Sequence, residues 1–457
     1  MANSVQHKIA SLKLDKLFLL KLPVQQIINR ILRHKKDLLV VTLGQLIAAL
    51  GTLFGVRLLT EFISPTVFGE YKLLLAAISL MTGIFIRPFI QFAMREYHDA
   101  EKTDVIILFL RNIRGMFRKY IFGVAILFAV IIYFSNSGLH TVPSYLLLLL
   151  PLVLVLTNSV ELERALMVTQ NRQAHASLVS IGRNWLIPIA AVTMTMLATQ
   201  SVGFLFVGTM VGLVGILLLQ LRTELEIKVP VDGISGGLEL AGMRHEALKY
   251  GLPLAAVGLL SWFVHESDRF FLSYYHSQEV VGIYSAAYGL VSAPFTLVVG
   301  SMAQFLYPIM FKVSASGNQK SKLNVLKAML ITSSAICLIG VVIVSLFDEQ
   351  IAWLALGEDY RQKATGLLIW IAMGYGFLAV SMSFDLAAYG GKRTSDMFIA
   401  YGIAAILNVS FNVALIPEYG AKGAVIATLI SLFFYLITMA ALFLYRERNF
   451  GESKFVA

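Results

Sequence analysis

The chain has 457 residues, of which 58% are hydrophobic and only 14% are charged. Soluble proteins carry about 25% charged residues, so this composition excludes an ordinary soluble domain and predicts an integral membrane protein. The net charge of +10 suits either nucleic acid or anionic lipid, and the placement of the basic residues decides between them below. The single cysteine, Cys337, excludes a disulfide framework and a thiolate metal site.

A basic segment, residues 1–37, precedes the first long apolar run. It contains lysines throughout and no apolar core longer than LFLL, so we expect no cleavable signal peptide. Read as a helix, LKLDKLFLLKLPVQQIINRILRHKK is basic and amphipathic, with an interruption at Pro23. Such a segment is predicted to lie on the anionic cytoplasmic surface of a membrane.

Twelve apolar runs are long enough to cross ~30 Å of hydrocarbon as helices. They lie at about 38–60, 72–94, 113–134, 144–162, 177–198, 201–221, 248–273, 280–310, 327–347, 364–389, 395–416 and 422–445. The longest internal polar stretch divides them six and six. The predicted architecture is therefore all-α, with an N-lobe at 38–221, a linker at 222–247, a C-lobe at 248–445 and a tail at 446–457.

Lysine and arginine predict the orientation of these helices. Thirty of the 37 lie at the termini and in alternate loops, and the positive-inside rule makes those regions cytoplasmic. The positive charge thus indicates topology and contact with anionic lipid, and we expect no nucleic-acid partner. Of the other seven, four fall near the predicted outer face: Lys72, Arg361, Lys363 and Lys422. The remaining three fall inside predicted helices: Arg57, Arg87 and Arg269.

The two halves share polar landmarks in the same order. An arginine (Arg57 or Arg269) precedes an apolar-Gly-x-Tyr motif, FGEY at 68–71 and VGIY at 281–284, and a Gln-Phe pair begins 20 residues after each tyrosine. Since each half has six spans, both halves enter the membrane from the same side. This predicts a parallel repeat about an axis along the membrane normal, with a substrate site between the halves near the midplane.

Three stretches carry a family resemblance. RLLTEFISPTVFGEYKLL after the first run, DRFFLSYYHSQEVVGIYSAAYGL at the seventh and IPEYGAKGAVIATLIS before the last resemble the polysaccharide-transporter (Wzx-type) flippases, a family of the multidrug/oligosaccharidyl-lipid/polysaccharide exporter superfamily. The resemblance covers the membrane portion and implies two MATE-like six-helix lobes around a cavity that opens alternately to each side. It also implies a multi-pass protein of the cell inner (plasma) membrane, with both termini cytoplasmic.

The resemblance implies a lipid-linked oligosaccharide as substrate, and its pyrophosphate needs cations in a low-dielectric site. Arg57, Arg87 and Arg269 are the candidate ligands, because guanidinium groups bind phosphate oxygens through paired hydrogen bonds. The related lipid II flippases are similar in having arginines on helices 1 and 2. Arg57 lies near a helix end and can instead snorkel to the interface. Asn408 and Asn412, at i and i+4, either line the cavity or join helices.

Ionisable residues interrupt the seventh run at His265, Glu266, Asp268 and Arg269. On a helix, His265 meets Asp268 and Arg269, and Glu266 meets Arg269. Charges inside a membrane segment are expensive and usually functional, so we interpret His265, Glu266 and Asp268 as residues that couple transport to protons or sodium. The alternative is a paired cluster that fixes helix packing. Glu161, Glu163 and Arg164 end the fourth run, as a cytoplasmic gate or a solvated helix end.

Four functions remain open at this point. The first is a flippase that moves undecaprenyl-pyrophosphate-linked oligosaccharide to the outer leaflet. The expected partners of this flippase are membrane lipid and a polysaccharide polymerase with its chain-length machinery. A multidrug exporter of the same fold prefers acidic residues for cationic drugs. A sugar polymerase or ligase needs a long outer loop, and a scaffold or channel subunit needs no repeat. No Walker A or H-E-x-x-H sequence occurs, so we expect neither ATP hydrolysis, nor a cofactor, nor enzymatic activity.

Overall fold

The computed structural model describes residues 35–102, 106–136, 143–225, 240–315, 319–390 and 393–453. The predicted membrane-surface segment before residue 35, and the centre of the predicted linker, lie outside these residues. The described part of the chain is helical and contains no strand. Twelve of its helices are long and apolar enough to span a membrane, which confirms the predicted number.

We number the spanning helices α1 to α12. Two are interrupted: α2 consists of Pro65–Met81, a π-helical turn Thr82–Ile86 and Arg87–Lys102, and α7 consists of Leu240–Glu266 and Asp268–Tyr275. The others are α1 Lys35–Phe62, α3 Ile106–Asn136, α4 Leu146–Thr169, α5 Gln173–Leu197, α6 Val202–Leu225, α8 Gln278–Ala315, α9 Gln319–Ala355, α10 Glu358–Gly390, α11 Thr394–Tyr419 and α12 Ala421–Ser453.

The two sets of six helices pack with the same neighbours. In the N-lobe α1 lies along α5, α5 along α6, α4 along α6 and α3 along α4; in the C-lobe α7 lies along α11, α11 along α12, α10 along α12 and α9 along α10. The tyrosine of each repeated motif is also hydrogen-bonded within its own lobe: Tyr71 to Thr209 on α6 at 2.9 Å, and Tyr284 to Asp268 on α7. The predicted pair of six-helix lobes is confirmed.

Two glycines allow α2 and α8 to cross closely at the lobe interface. A Cβ on Gly69 would lie 1.8 Å from the carbonyl oxygen of Gln278, and a Cβ on Gly282 would lie 2.0 Å from that of Pro65. Larger residues cannot occupy this crossing without separating the helices. These are the glycines of the repeated motif, so equivalent positions of the two lobes meet at one depth, as a parallel repeat requires.

With twelve crossings, α1 begins and α12 ends on the same side, which we call the terminal side. That this side is cytoplasmic stays a prediction. On the opposite, far side, α1 contacts the turn between α9 and α10. The Gly357 N–H donates to the Thr60 hydroxyl at 2.9 Å, the Tyr360 hydroxyl donates to the Ile63 carbonyl at 2.8 Å, and Arg57 donates to the Leu356 carbonyl. We call these six residues the far-side seal.

Candidate functional site

A local irregularity in α2 presents Arg87. Pro88 lacks a backbone N–H and its ring crowds the preceding turn, and α2 widens to a π-helical turn over Thr82–Ile86 immediately before it. Two neighbouring helices bond this turn: the Tyr120 hydroxyl donates to the Phe85 carbonyl at 2.9 Å, and the Asn158 amide donates to the Thr82 hydroxyl at 3.0 Å. Such turns recur at functional sites. Here the next residue is Arg87, whose side chain is exposed.

Arg87 faces a basic group on α4 and α5. Glu161 accepts two hydrogen bonds from Arg164, at 2.5 and 3.0 Å, and one from Arg183 at 3.2 Å. The charge of Arg87 acts on both Glu161 and Arg183. Three guanidinium groups therefore surround one carboxylate. The charge of Arg87 also acts on His265 of α7, and the segment of α2 that Arg87 begins packs against α7 of the C-lobe.

A second ion pair, between α3 and α4, lies beside this group. Glu163 accepts from the Nε and Nη2 atoms of Arg114 on α3, at 2.8 and 2.7 Å. The surroundings of Glu161 and Glu163, both on α4, thus differ in net charge. Glu163 is matched by the guanidinium that it binds, whereas the group around Glu161 keeps an excess of positive charge.

The predicted cluster on α7 forms, but the helix is irregular at Ser267. The Ser267 hydroxyl donates back to the Phe263 carbonyl at 2.6 Å, a bond that competes with regular helix geometry. The Arg269 backbone N–H donates to the Asp268 carboxylate at 2.8 Å, in the first turn of the second segment of α7. The run predicted at 248–273 therefore has a one-residue irregularity between Glu266 and Asp268, and the backbone of Ser267 keeps helical angles there, with φ −67° and ψ −28°.

Arg269 is held by several groups and is only 8% exposed. Its guanidinium donates to the Glu266 carboxylate, to the His265 carbonyl at 3.0 Å and to the Ser285 hydroxyl at 3.3 Å. It also lies 5.3 Å from the centre of the Tyr288 ring, within the range of a cation–π contact. Asp268 is 3.7 Å away. The contacts between Arg269 and its predicted neighbours on α7 are confirmed.

Lys72 belongs to this part of the interface, although the sequence suggested the outer face. Helix α2 begins at Pro65, seven residues earlier than expected, so Lys72 lies about 10 Å inside the helix. Its charge acts on Arg269 and Glu266 of α7, and its ammonium lies 5.0 Å from the Phe68 ring centre. The structure thus adds a cation from α2 to the one on α7.

The Asp268 carboxylate, 3.7 Å from Arg269, also belongs to a buried polar network within the C-lobe. Its carboxylate accepts from the Tyr284 hydroxyl and is 1% exposed. Asn408 and Asn412 of α11 are fully buried close by: Asn412 donates to Asn408 at 2.8 Å, and Asn408 accepts from Ser267 at 3.3 Å. The side-chain amide oxygen of Asn412 has no hydrogen-bond partner.

The structure therefore divides the predicted residues among four places. Arg87 lies between the lobes with His265, and Arg269 and Glu266 lie farther along α7. Burial of Asn408 and Asn412 favours a shared role with Asp268 over direct contact with substrate. Arg57 lies in the far-side seal and pairs with Glu61 at 2.8 Å, so its contacts favour a role in closing that side. Direct roles for all of these residues stay predictions.

Sequence reasoning gave little weight to Lys72, Arg164 and Arg183, and each carried a signal. Ser64-Pro65 is a helix start, which moves Lys72 inward. Arg183 falls inside the predicted fifth run, 177–198, although it was counted with the loop before it. Among the described residues, no group of three or more His, Cys, Asp or Glu could hold a metal ion.

Comparison with known proteins agrees with this architecture. Residues 34–314 match the family model described as "Polysaccharide biosynthesis protein", and residues 253–414 match the MatE model. No curated protein sequence matches the chain. Among solved structures, the chain is similar in fold to the lipid II flippase MurJ in an inward closed conformation, with a TM-score of 0.65 and 15% identity over 88% of this chain and 86% of that one.

Two further structures are similar in fold. The Vibrio cholerae MATE transporter VcmN gives a TM-score of 0.62 at 12% identity, over 90% of this chain and 98% of that one. An inward-facing multidrug resistance MATE family transporter of the MOP superfamily gives 0.59 at 15% identity, over 92% and 96%. Twelve spans, two repeated lobes and this fold define a multi-pass membrane protein. The family model covers more than half of the sequence, and the chain belongs to the polysaccharide biosynthesis protein family.

Proposed function

We propose that this protein is a flippase for undecaprenyl-pyrophosphate-linked oligosaccharide, the repeat unit of an O-antigen, capsule or exopolysaccharide. It moves the lipid from the cytoplasmic to the outer leaflet by alternating access, and the oligosaccharide then passes to polymerase and chain-length machinery. One observation carries the proposal: the described residues at the lobe interface hold more cations than anions. The five cations are Lys72, Arg87, Arg164, Arg183 and Arg269, and the three carboxylates that pair with members of this set are Glu161, Glu266 and Asp268.

This charge balance suits phosphate. Arginine is the side chain best matched to phosphate oxygens, because its planar fork donates two parallel hydrogen bonds. Placing a cation at the centre of a membrane costs ~2.5–3.5 kcal/mol on insertion scales and about 10–17 kcal/mol in simulations, and an anionic substrate removes part of that cost. The polyprenyl tail remains in lipid, while the sugars occupy the polar space near Arg87.

The second candidate is a MATE-like exporter of small molecules, favoured by the MatE match over 253–414 and by the fold. A cationic drug needs a carboxylate with spare negative charge. Glu161 is already shared by Arg164 and Arg183, and Glu266 by Arg269. Asp268 is buried within the C-lobe. The interface charge therefore favours an anionic substrate over a cationic one.

Directional transport without ATP needs an ion gradient or removal of the product on the far side. Asp268 is the carboxylate best placed to link substrate and ion, because it lies 3.7 Å from Arg269 and contacts α8 through Tyr284. When phosphate binds Arg269, the positive charge of Arg269 compensates less of the negative charge of Asp268. Uptake of a proton or sodium ion at Asp268 then accompanies substrate binding.

Arg87 provides the test. In proteoliposomes that carry fluorescent undecaprenyl-pyrophosphate-linked oligosaccharide, we expect Arg87→Ala to lower the initial flipping rate by at least about 100-fold, since loss of a partner to a charged group costs roughly 3 kcal/mol. Arg87→Lys should restore only part of the flipping rate, because lysine supplies the charge without the paired hydrogen-bond donors of a guanidinium group. Arg118→Ala, at an exposed arginine of α3, is the matched control. Wild-type flipping by Arg87→Ala would remove Arg87 from the site.

A further inference from the structure

Each of the two basic groups contains one glutamate, Glu161 of the N-lobe in one and Glu266 of the C-lobe in the other. On the terminal-side half, Glu161 binds Arg164 and Arg183 under the influence of Arg87. Nearer the far side, Glu266 binds Arg269 under the influence of Lys72. In both places a single carboxylate partly neutralises a larger positive charge.

Glu266 differs in exposure and in support from the cation that it binds. The Glu266 side chain is 31% exposed, against 8% for Arg269, and Arg269 is also held by His265, Ser285 and Tyr288. Glu266 can therefore leave while Arg269 stays in place. Glu161 is 28% exposed, so it too can turn to water at small desolvation cost.

The two basic groups lie along one path. Lys72 and Arg87 are on the same helix, 15 residues apart, which at 1.5 Å per residue is about 22 Å. That distance is most of the ~30 Å hydrocarbon thickness. His265 adjoins the second group, because its backbone carbonyl accepts from Arg269 at 3.0 Å, and the charge of Arg87 in the first group also acts on it.

We propose that the anion path has two stations, each closed in the empty protein by a resident glutamate that the substrate's pyrophosphate displaces. The first station is Arg87, Arg164 and Arg183 with Glu161; the second is Lys72 and Arg269 with Glu266. Return of each glutamate helps to expel the pyrophosphate toward the next station or out of the protein. The proposal rests on the proposed function and adds how the same site releases its substrate.

The physical reason is the balance between binding and release. Cations left unpaired in a low-dielectric interface would hold a pyrophosphate strongly and let it go slowly. A competing carboxylate on the same protein weakens binding, and it neutralises the cations as the substrate departs. Affinity is lowered, and the turnover rate rises.

The experiment titrates inorganic pyrophosphate into detergent-solubilised full-length protein by calorimetry. We expect Glu161→Gln and Glu266→Gln each to lower the Kd by about tenfold, within the range typical of coupling between two ligands, and to slow flipping in proteoliposomes because release becomes limiting. Glu163→Gln is the control, since Glu163 lies two residues from Glu161 but pairs with Arg114 of α3, outside both stations, and the Kd of this variant should match that of the wild type. The two test variants lie on different helices, so the result does not depend on the folding of one.

Two outcomes overturn the proposal in distinguishable ways. If the wild type binds pyrophosphate and both glutamine variants keep its Kd, the glutamates are structural and the proposed function stands. If the wild type does not bind pyrophosphate, the proposed function fails and the stations fail with it. Tighter binding by Glu163→Gln as well would show a general effect of charge and would also overturn the proposal.

Discussion

The crossing of α2 and α8 gives the sharpest prediction about the conformational cycle. Gly69→Ala places a methyl group 1.8 Å from the Gln278 carbonyl oxygen and 2.8 Å from its carbon. An ordinary contact begins near 3.4 Å, so the two backbones must separate by roughly 1.6 Å, since neither is a movable side-chain end. Overpacking of this kind costs about 1–3 kcal/mol. The cost falls on the conformation in which the crossing and the far-side seal are closed.

A penalty of about 1–3 kcal/mol shifts a two-state equilibrium by about 5- to 150-fold. The readout is the labelling rate of Ile63→Cys, at a position 2% exposed in the far-side seal, by a membrane-impermeant maleimide in a Cys337→Ala background. We expect Gly69→Ala to raise that rate at least about fivefold. The control is Gly215→Ala on α6, where an added Cβ meets nothing within 4 Å. An unchanged labelling rate in well-expressed Gly69→Ala would refute the reasoning.

Two other substitutions test the interface charges. Asp268→Asn keeps the size of the side chain but removes its charge, and we expect substrate binding to persist while flipping no longer responds to an imposed pH or sodium gradient; a wild-type protein that ignores both gradients would make the cluster structural and transport downhill. Lys72→Met keeps the apolar stem and should weaken pyrophosphate binding about tenfold, whereas Lys363→Met, at a lysine 62% exposed on the far side, should not; equal Kd values for the two variants would place Lys72 outside the path.

Much of the fold follows from the sequence alone. Apolar length sets the twelve spans, because a helix must satisfy its own backbone hydrogen bonds in lipid. The repeat was visible in the FGEY and VGIY motifs because their glycines face the other lobe, where no side chain fits. Helix ends were less predictable: α2 starts at Pro65, but hydropathy placed the boundary at Lys72, since a lysine resembles the edge of a span.

The site was only partly predictable. Local spacing on α7 was enough to join Arg269 to Glu266 and His265, because i+3 and i+4 contacts need no tertiary information. The group around Glu161 joins α4 to α5 across 22 residues to Arg183, and that pairing depends on how the helices pack. The irregularity at Ser267 arises from a hydroxyl that bonds both Phe263 and Asn408, and nothing in the apolar pattern indicates it.

The most direct measurement of the central claim compares head groups in one flipping assay. Purified wild-type protein is reconstituted with three fluorescent polyprenyl lipids: one with pyrophosphate and oligosaccharide, one with pyrophosphate and a different oligosaccharide, and one with the first oligosaccharide joined without phosphate. Recognition of phosphate by Arg87 and Arg269 predicts flipping of both pyrophosphate lipids and a background rate for the phosphate-free lipid. Equal rates for the phosphate-free and pyrophosphate lipids would contradict the account.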